Sequence, residues 1–259
     1  MKQKHKSKFS FLARSIKLVK NWNMLIQLYY QKGNQSFITI NLRNGLKVKL
    51  RSRTTDIQAF ANVWLAEEYK QKGFEIQKDD IIIDIGAHIG LFTVYMSQFC
   101  SKGKIFCFEP VSENFQLLLE NIQINGLKNV NAFNLAVLEG EEDVKIYLNQ
   151  DKSAHNFYET NLNFENVKSI SLKKIMDSND ISICNLLKLD CESSEYEILK
   201  ALPDQYFNNI EKICLEYHII NNDFSDLNNL KTRLRNLDFS VKVLPTSEKL
   251  GLLFSRKNN

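Results

Sequence analysis

The segment Ile81–Ile85 is apolar at four of its five positions and runs into the turn Asp84-Ile85-Gly86-Ala87-His88-Ile89-Gly90. A run of that kind needs cover on both faces, the condition of a strand inside a parallel sheet. The alternation then continues. The periodicity predicts a helix from about Ile89 to Phe99 and a second strand from Lys104 to Phe108. Next comes a helix carrying Phe115, Leu118, Leu119 and Ile122, capped by Ser112 and ended by Gly126. Val130 to Val137 reads as a third strand and Val144 to Leu148 as a further one, while residues 149–166 give a weak signal expected to be a mobile loop near the site. Ile183–Leu189 and Ile213–Tyr217 are buried strands separated by a helix at Glu195 to Leu202, and a last helix carries Leu227, Leu230 and Leu234. Five residues separate Phe239–Leu244 from Leu250–Phe254, too few for a crossover helix, so these two form an antiparallel hairpin. The expected architecture is α/β: a Rossmann-like, mostly parallel seven-stranded sheet with an antiparallel terminal hairpin and helices on both faces.

Residues 1–78 read as an extension and 79–259 as the domain that holds the site. In the extension, Phe9, Leu12, Ile16, Val19, Trp22, Ile26 and Tyr29 form one helical stripe. Ile38-Ile40-Leu42 and Leu46-Val48-Leu50 alternate. A three-residue loop with Gly45 left-handed pairs Leu42 with Leu46 and Ile40 with Val48, which gathers one apolar face. A helix is expected from Thr55 to Lys72, stopped by Gly73.

Charge is unevenly spread. The first 55 residues carry 13 Lys or Arg and no acidic side chain, whereas the rest carry 21 basic and 30 acidic ones. Two readings stay open for the basic arm: a solvated tail, or a segment (residues 1–30) that contacts an anionic membrane surface. With 44% apolar and 25% charged residues, the composition excludes a disordered or collagen-like chain. The five cysteines form no CxxC pair, which points to buried thiols in a reducing compartment, the cytoplasm. The apolar stretch Ile81–Cys100 is interrupted by Asp84 and His88, and Arg14 breaks the N-terminal one, so neither a membrane span nor a cleaved signal is expected.

Ligands of an open parallel sheet bind at the C-terminal edges of its strands. Gly86 permits the tight turn after the first strand and Gly90 close packing of the following helix. The spacing D-x-G-x-x-x-G is not the dinucleotide pattern, and Asp84 would repel a pyrophosphate. Glu109 ends the second strand, 19 residues after Gly90, where a carboxylate typically takes ribose hydroxyls. A ribose-bearing, phosphate-free, positively charged cofactor fits both: S-adenosylmethionine.

The segments IIIDIGAHIGLFT, GKIFCFEPVSENFQLLLENIQINGLKNV, NLAV, LLKLDCESSEYEILKAL and ICLEYH resemble the FkbM-type methyltransferases, a class I, S-adenosylmethionine-dependent group. The resemblance covers about residues 36 to 245. It implies O-methyl transfer, often to sugar hydroxyls or natural products. It also implies a cofactor site that includes Asp84, Gly86, His88, Gly90, Glu109, Pro110, Ala136 and Asp190, with the Leu135-Ala136 backbone as the adenine edge. Four positions depart from the family's pattern: Ser193 replaces a glycine, Lys173 and Lys174 stand where an Asp follows Leu172, and His88 stands where Asn is common.

Methyl transfer to an alcohol needs alignment and a base within hydrogen-bond reach. Lys188, Asp190 and Glu192 end one strand; Glu216 and His218 end its expected neighbour. With an ordinary pKa near ~6.5, His218 is the first candidate base and Asp190 the second. Glu216 would orient His218 or the acceptor, and Lys188 would pair with Asp190. No metal is expected, because a lysine already accompanies these carboxylates. The acceptor is expected to be a hydroxyl of a glycan or small molecule. The alternatives are a catalytically silent binding module with a basic arm and, less favoured, an RNA methyltransferase. No nucleic-acid partner is expected, since aromatic-basic stacking motifs are missing.

Overall fold

A computed structural model describes residues 8–30, 35–148, 163–191, 194–219 and 223–258. The chain begins with helices α1 (Lys8–Leu18) and α2 (Trp22–Tyr29) and the hairpin β1 (Phe37–Asn41) and β2 (Lys47–Arg51). A short helix α3 (Asp56–Phe60) continues as a π-helix at Ala61–Ala66. Then follow β3 (Ile81–Ile85), α4 (Leu91–Ser97), β4 (Lys104–Phe108), α5 (Ser112–Ile124), β5 (Val130–Phe133), β6 (Ala136–Leu138) and β7 (Asp143–Tyr147). The chain continues with β8 (Phe164–Ser171), α6 (Leu172–Ser178), β9 (Leu186–Leu189), α7 (Glu195–Ala201) and a 3-10 turn at Asp204–Asn209. It ends with β10 (Lys212–His218), α8 (Ser225–Asn236), β11 (Phe239–Pro245) and β12 (Leu250–Lys257).

Seven strands form the main sheet in the order β11-β12-β10-β9-β3-β4-β5. Every neighbouring pair from β10 through β9, β3 and β4 to β5 is parallel, and β12 runs antiparallel to both β10 and β11. This is the expected sheet with its terminal hairpin. The β1–β2 hairpin has the expected register, with Ile40 opposite Val48 and Gly45 at φ 97°.

Side chains alternate across β3 and β9 to build two cores. Ile82 and Leu186 enter one; Ile83, Ile85, Leu187 and Leu189 enter the other. The first core is completed by the segment before residue 79: Val19, Leu25, Leu28, Ile40, Leu50, Phe60 and Trp64 pack with Ile82, Ile105 and Phe254. The second is closed by Leu172 and Ile175 of α6, Ile198 and Leu199 of α7 and Leu230 and Leu234 of α8. Packing therefore runs without a break across the sequence boundary at 78/79.

Several local expectations are corrected. The N-terminal stripe is two helices, not one. Val19 leaves the helix to bridge Leu42, Lys20 N donates to Asn41 O, and the Asn21 side chain bonds Thr39 O and Asn41 N at 2.8 Å each. The strand edge thus takes the backbone groups that a continuous helix would use. The helix from Thr55 ends early: the π-helix closes on Glu67 in a left-handed conformation (φ 52°). Ser112 is the first helical residue of α5 rather than its cap, and its N–H donates to Glu165 Oε2 at 3.0 Å. The strand expected over Val130–Val137 is split, because Asn134 Nδ2 donates to the carbonyls of Glu109 and Pro110 (2.9 and 2.8 Å) and turns the chain. β6 then pairs with β8 in a separate three-stranded sheet with β7. β8 and α6 were not expected, and the strand read from Ile183 starts only at Leu186. Of the expected loop, residues 149–162 lie outside the described residues, and Phe164 already belongs to β8.

The open edge of β2 is satisfied by side chains of α5. Asn121 accepts from Lys49 N (2.7 Å) and donates to Lys49 O (3.1 Å). Asn125, one turn later, does the same with Lys47 at 2.7 Å in both directions.

Candidate active site

The turn after β3 excludes side chains by contact. Gly86 and Gly90 take φ of 73° and 84°. A Cβ on Gly86 would lie 1.8 Å from the Asp190 carbonyl oxygen, and one on Gly90 2.5 Å from Leu118 Cδ1. His88 also has positive φ, 51°. His and Asn are among the non-glycine residues enriched there, which accounts for His88 at a position where Asn is common. His88 N donates to Glu109 Oε2 at 2.8 Å, so the turn and the end of β4 are tied together.

A cavity of about 340 Å³ opens over the C-terminal edges of β4, β3, β9 and β10. At one end lie Glu109, Pro110, Val111, Asn114 and Ala136; at the other lie Glu68, Tyr69, Asp190 and Glu216; Gly86 and His88 lie on its wall. Glu109 is buried and also accepts from Val111 N (3.0 Å) and Asn114 Nδ2 (3.3 Å). Burial pushes its pKa up to about 7 against the lowering effect of those donors.

Below the turn, Lys188 is buried between carboxylates. Its Nζ lies 3.1 Å from Asp84 Oδ1 and 3.7 Å from Asp190 Oδ2 and donates to Gly86 O at 2.7 Å. Burial pulls its pKa down, but Asp84 and Asp190 outweigh it and hold the ammonium above its ordinary value. Asp190, in turn, stays below the usual carboxylate range: burial acts against this, while Lys188 and a hydrogen bond from Glu216 prevail. Tyr69 Oη donates to Asp190 Oδ2 at 3.3 Å.

A second network enters from the N-terminal segment. Arg51 donates two hydrogen bonds to Asp56 (Nε–Oδ2 3.0 Å, Nη2–Oδ1 2.8 Å), donates to Asn114 Oδ1 at 2.8 Å and reaches His88 Nε2 at 2.9 Å. Arg51 and Asp56 are buried.

Gly86, His88, Glu109, Pro110, Ala136, Lys188, Asp190 and Glu216 are brought together around the cavity as expected from the sequence. Asp84 and Gly90 are not on its wall. Asp84 is fully buried, accepting from Thr93 Oγ1 at 2.6 Å and facing Lys188. His218 is not on the wall either; its Nδ1 lies 3.3 Å from buried Glu195 Oε1. Glu192 and Ser193 lie outside the described residues. Arg51, Asp56, Glu68, Tyr69 and Asn114 were missed. The one sequence signal for the first pair was an acidic residue at position 56, five after Arg51, ending 55 residues without any acid.

These features fit S-adenosylmethionine. The Gly86 cradle would be filled by any Cβ. Glu109 brings a carboxyl group to the same wall. The one lysine among the described residues of the wall is engaged by two aspartates rather than offered to a phosphate. Among the described residues, no group of three His, Cys, Asp or Glu is placed to hold a metal ion.

Strand order and site define a class I methyltransferase fold, which uses S-adenosylmethionine. The profile described as the methyltransferase FkbM domain matches residues 84–241, and the chain belongs to that family. Methyltransferase 1 of Beauveria bassiana is 26% identical over 246 residues, covering 79% of this chain and 96% of that protein. The hexuronic acid methyltransferase AglP of Haloferax volcanii is 23% identical over 144 residues, covering 56% of this chain and 58% of that protein. The crystal structure of methyltransferase FkbM from Methylobacillus flagellatus superposes with a TM-score of 0.51 at 14% identity, covering 95% of this chain and 58% of that one.

Proposed function

We propose that the chain methylates a hydroxyl oxygen of a glycan or small molecule. The observation that carries this reading is the carboxyl-lined end of the cavity, where Asp190, Glu216 and Glu68 surround the place beyond the glycine turn. S-adenosylmethionine supplies a methyl carbon with a sulfur leaving group. Glu109 and the His88 turn would hold its ribose side, and Ala136 with Pro110 would border its base. The remaining work falls on the chain: to orient a weakly nucleophilic hydroxyl and to accept its proton. The similarity to a hexuronic acid methyltransferase favours a sugar acceptor. The basic segment before residue 56 supports a contact with an anionic membrane: Lys17 and Lys20 are exposed beside exposed Ile16. Among the described residues, no helix is long and apolar enough to cross a membrane.

The test is transfer of a labelled methyl group to fractionated cell-envelope glycans, small-molecule extracts and RNA. Label stable to base in a glycan or small-molecule fraction is the expected result. Label in RNA alone would overturn the reading.

A further inference from the structure

We propose that Glu68, on the N-terminal segment, is the residue that takes the acceptor's proton, and that a cation bound in the cavity converts it to the proton-accepting form. This rests on the hydroxyl-methylation reading above. The first argument is position. The left-handed turn at Glu67 ends the π-helix and sends the next two residues to the cavity. Tyr69 is fixed there by its bond to Asp190 and by an edge-on contact with Phe92 (ring centroids 4.9 Å apart). Glu68 lines the same wall, half-buried, yet its carboxyl makes no hydrogen bond or ion pair with another described residue.

Elimination gives the second argument. Asp190 is the obvious carboxylate, but Lys188, Tyr69 and Glu216 all hold its charge in place. Hydrogen bonds to the charged form make a carboxylate a weak base. Glu216 is tied to Asp190. His218 faces Glu195. Glu68 alone in this group combines access with basicity: burial, then the Asp190 charge, push its pKa up to about 8, while Lys188 pulls the other way. The other titratable groups nearby are Tyr69 beside it and Cys214 and Glu216 on β10.

An affinity for protons near neutrality suits a general base. It also leaves Glu68 mostly protonated in the free protein. A positive charge in the cavity favours the ionised form. The base is thereby armed only when the methyl donor is present. In the reaction, the acceptor oxygen's lone pair forms the bond to the methyl carbon. That carbon's former bonding pair stays on sulfur, and the O–H proton passes to Glu68. The proton leaves to solvent before the next turnover.

Calorimetry decides this without any acceptor. Binding of S-adenosylmethionine at pH 7 is measured in buffers of different ionisation enthalpy, alongside S-adenosylhomocysteine, whose sulfur is neutral. Release of roughly half a proton or more with the first ligand, and clearly less with the second, is expected. Glu68→Gln, matched to wild type by its melting curve, should bind the cofactor and lose that release. Equal release from wild type and Glu68→Gln would overturn the proposal. Once an acceptor is known, Glu68→Gln should lower kcat by about 10²–10⁴-fold, with Glu68→Asp partly restoring it. Unchanged kcat would likewise overturn it. If no hydroxyl acceptor is ever labelled, the hydroxyl-methylation reading fails, while the proton release still reports whether cation binding ionises Glu68.

Discussion

Nη2 of Arg51 lies 2.9 Å from Nε2 of His88. A guanidinium only donates, so this imidazole nitrogen must accept, and the ring is neutral with its proton on Nδ1. Burial lowers the His88 pKa to about 4, with Asp56 opposing and Arg51 adding to the effect. A residue next to the cofactor turn is thus locked in one tautomer by a hairpin that precedes the sheet.

Arg51→Met should be severe. It leaves the fully buried Asp56 without its main partner. Breaking a buried pair from one side costs about 3–5 kcal/mol. Chemical denaturation should show that loss, and Arg51→Lys should recover little of it, since a single ammonium cannot make the paired hydrogen bonds.

The site predicts opposing pH dependences. His88 titrates near pH 6.5 when unfolded and near 4 when folded. The unfolded state therefore binds more protons between these values, and stability falls as pH drops through the window. Glu109 behaves oppositely: raised from 4.5 to about 7, it makes stability fall as pH rises. Glu68 acts in the same direction as Glu109. His88→Asn should remove the first slope, worth about 3 kcal/mol at most. Melting temperatures from pH 4.5 to 7 should then decline more steeply with rising pH than in wild type.

Glu109→Ala should weaken S-adenosylmethionine binding by about 1–3 kcal/mol, the cost of losing hydrogen bonds to a charged group. Asn114→Ala, which removes one donor to Glu109 and one acceptor of Arg51, should show a smaller loss. Titration calorimetry measures both. Equal affinities in all three proteins would take Glu109 out of the ribose contact.

His218→Ala should reduce turnover by less than about tenfold, below what removal of a general base produces. Asp190→Asn should weaken cofactor binding, because it removes one of the two charges balancing Lys188. A large kcat defect in His218→Ala with unchanged cofactor affinity would return His218 to the reaction.

Removing residues 1–30 should destabilise the whole chain rather than trim a tail. Val19, Leu25 and Leu28 are buried in the core that covers one face of the main sheet. Each such side chain contributes about 1.5–3 kcal/mol. Thermal unfolding of the truncated protein would check this; an unchanged midpoint would mean that the helices are dispensable.

The parts of the fold that were legible are those written in short-range pattern. The apolar run of β3, the glycine turn, Glu109 at the end of β4 and the five-residue link of the last hairpin all lie within a few residues of their own signal. What could not be read depends on pairing at a distance. Val19 ends a helix because Leu42 pairs with it. Asn134 splits a strand because two carbonyls of the preceding strand end claim its amide. Arg51 and Asp56 join the site through His88, 37 residues after Arg51, and nothing in local periodicity records that. Glu68 and Tyr69 are hidden for a different reason: they follow the apolar stripe of a helix that turns π-helical and stops short.

The amide clasp of Asn121 and Asn125 on β2 bears on how the protein behaves in a crowded solution. A two-stranded hairpin offers its free edge as a template for strand addition by another chain. Here α5 of the same molecule fills that edge twice over, at Lys47 and at Lys49. The hairpin can carry Arg51 to the active site without becoming a nucleus for self-assembly, and the side chains that guard it come from a helix that also helps frame the cofactor pocket.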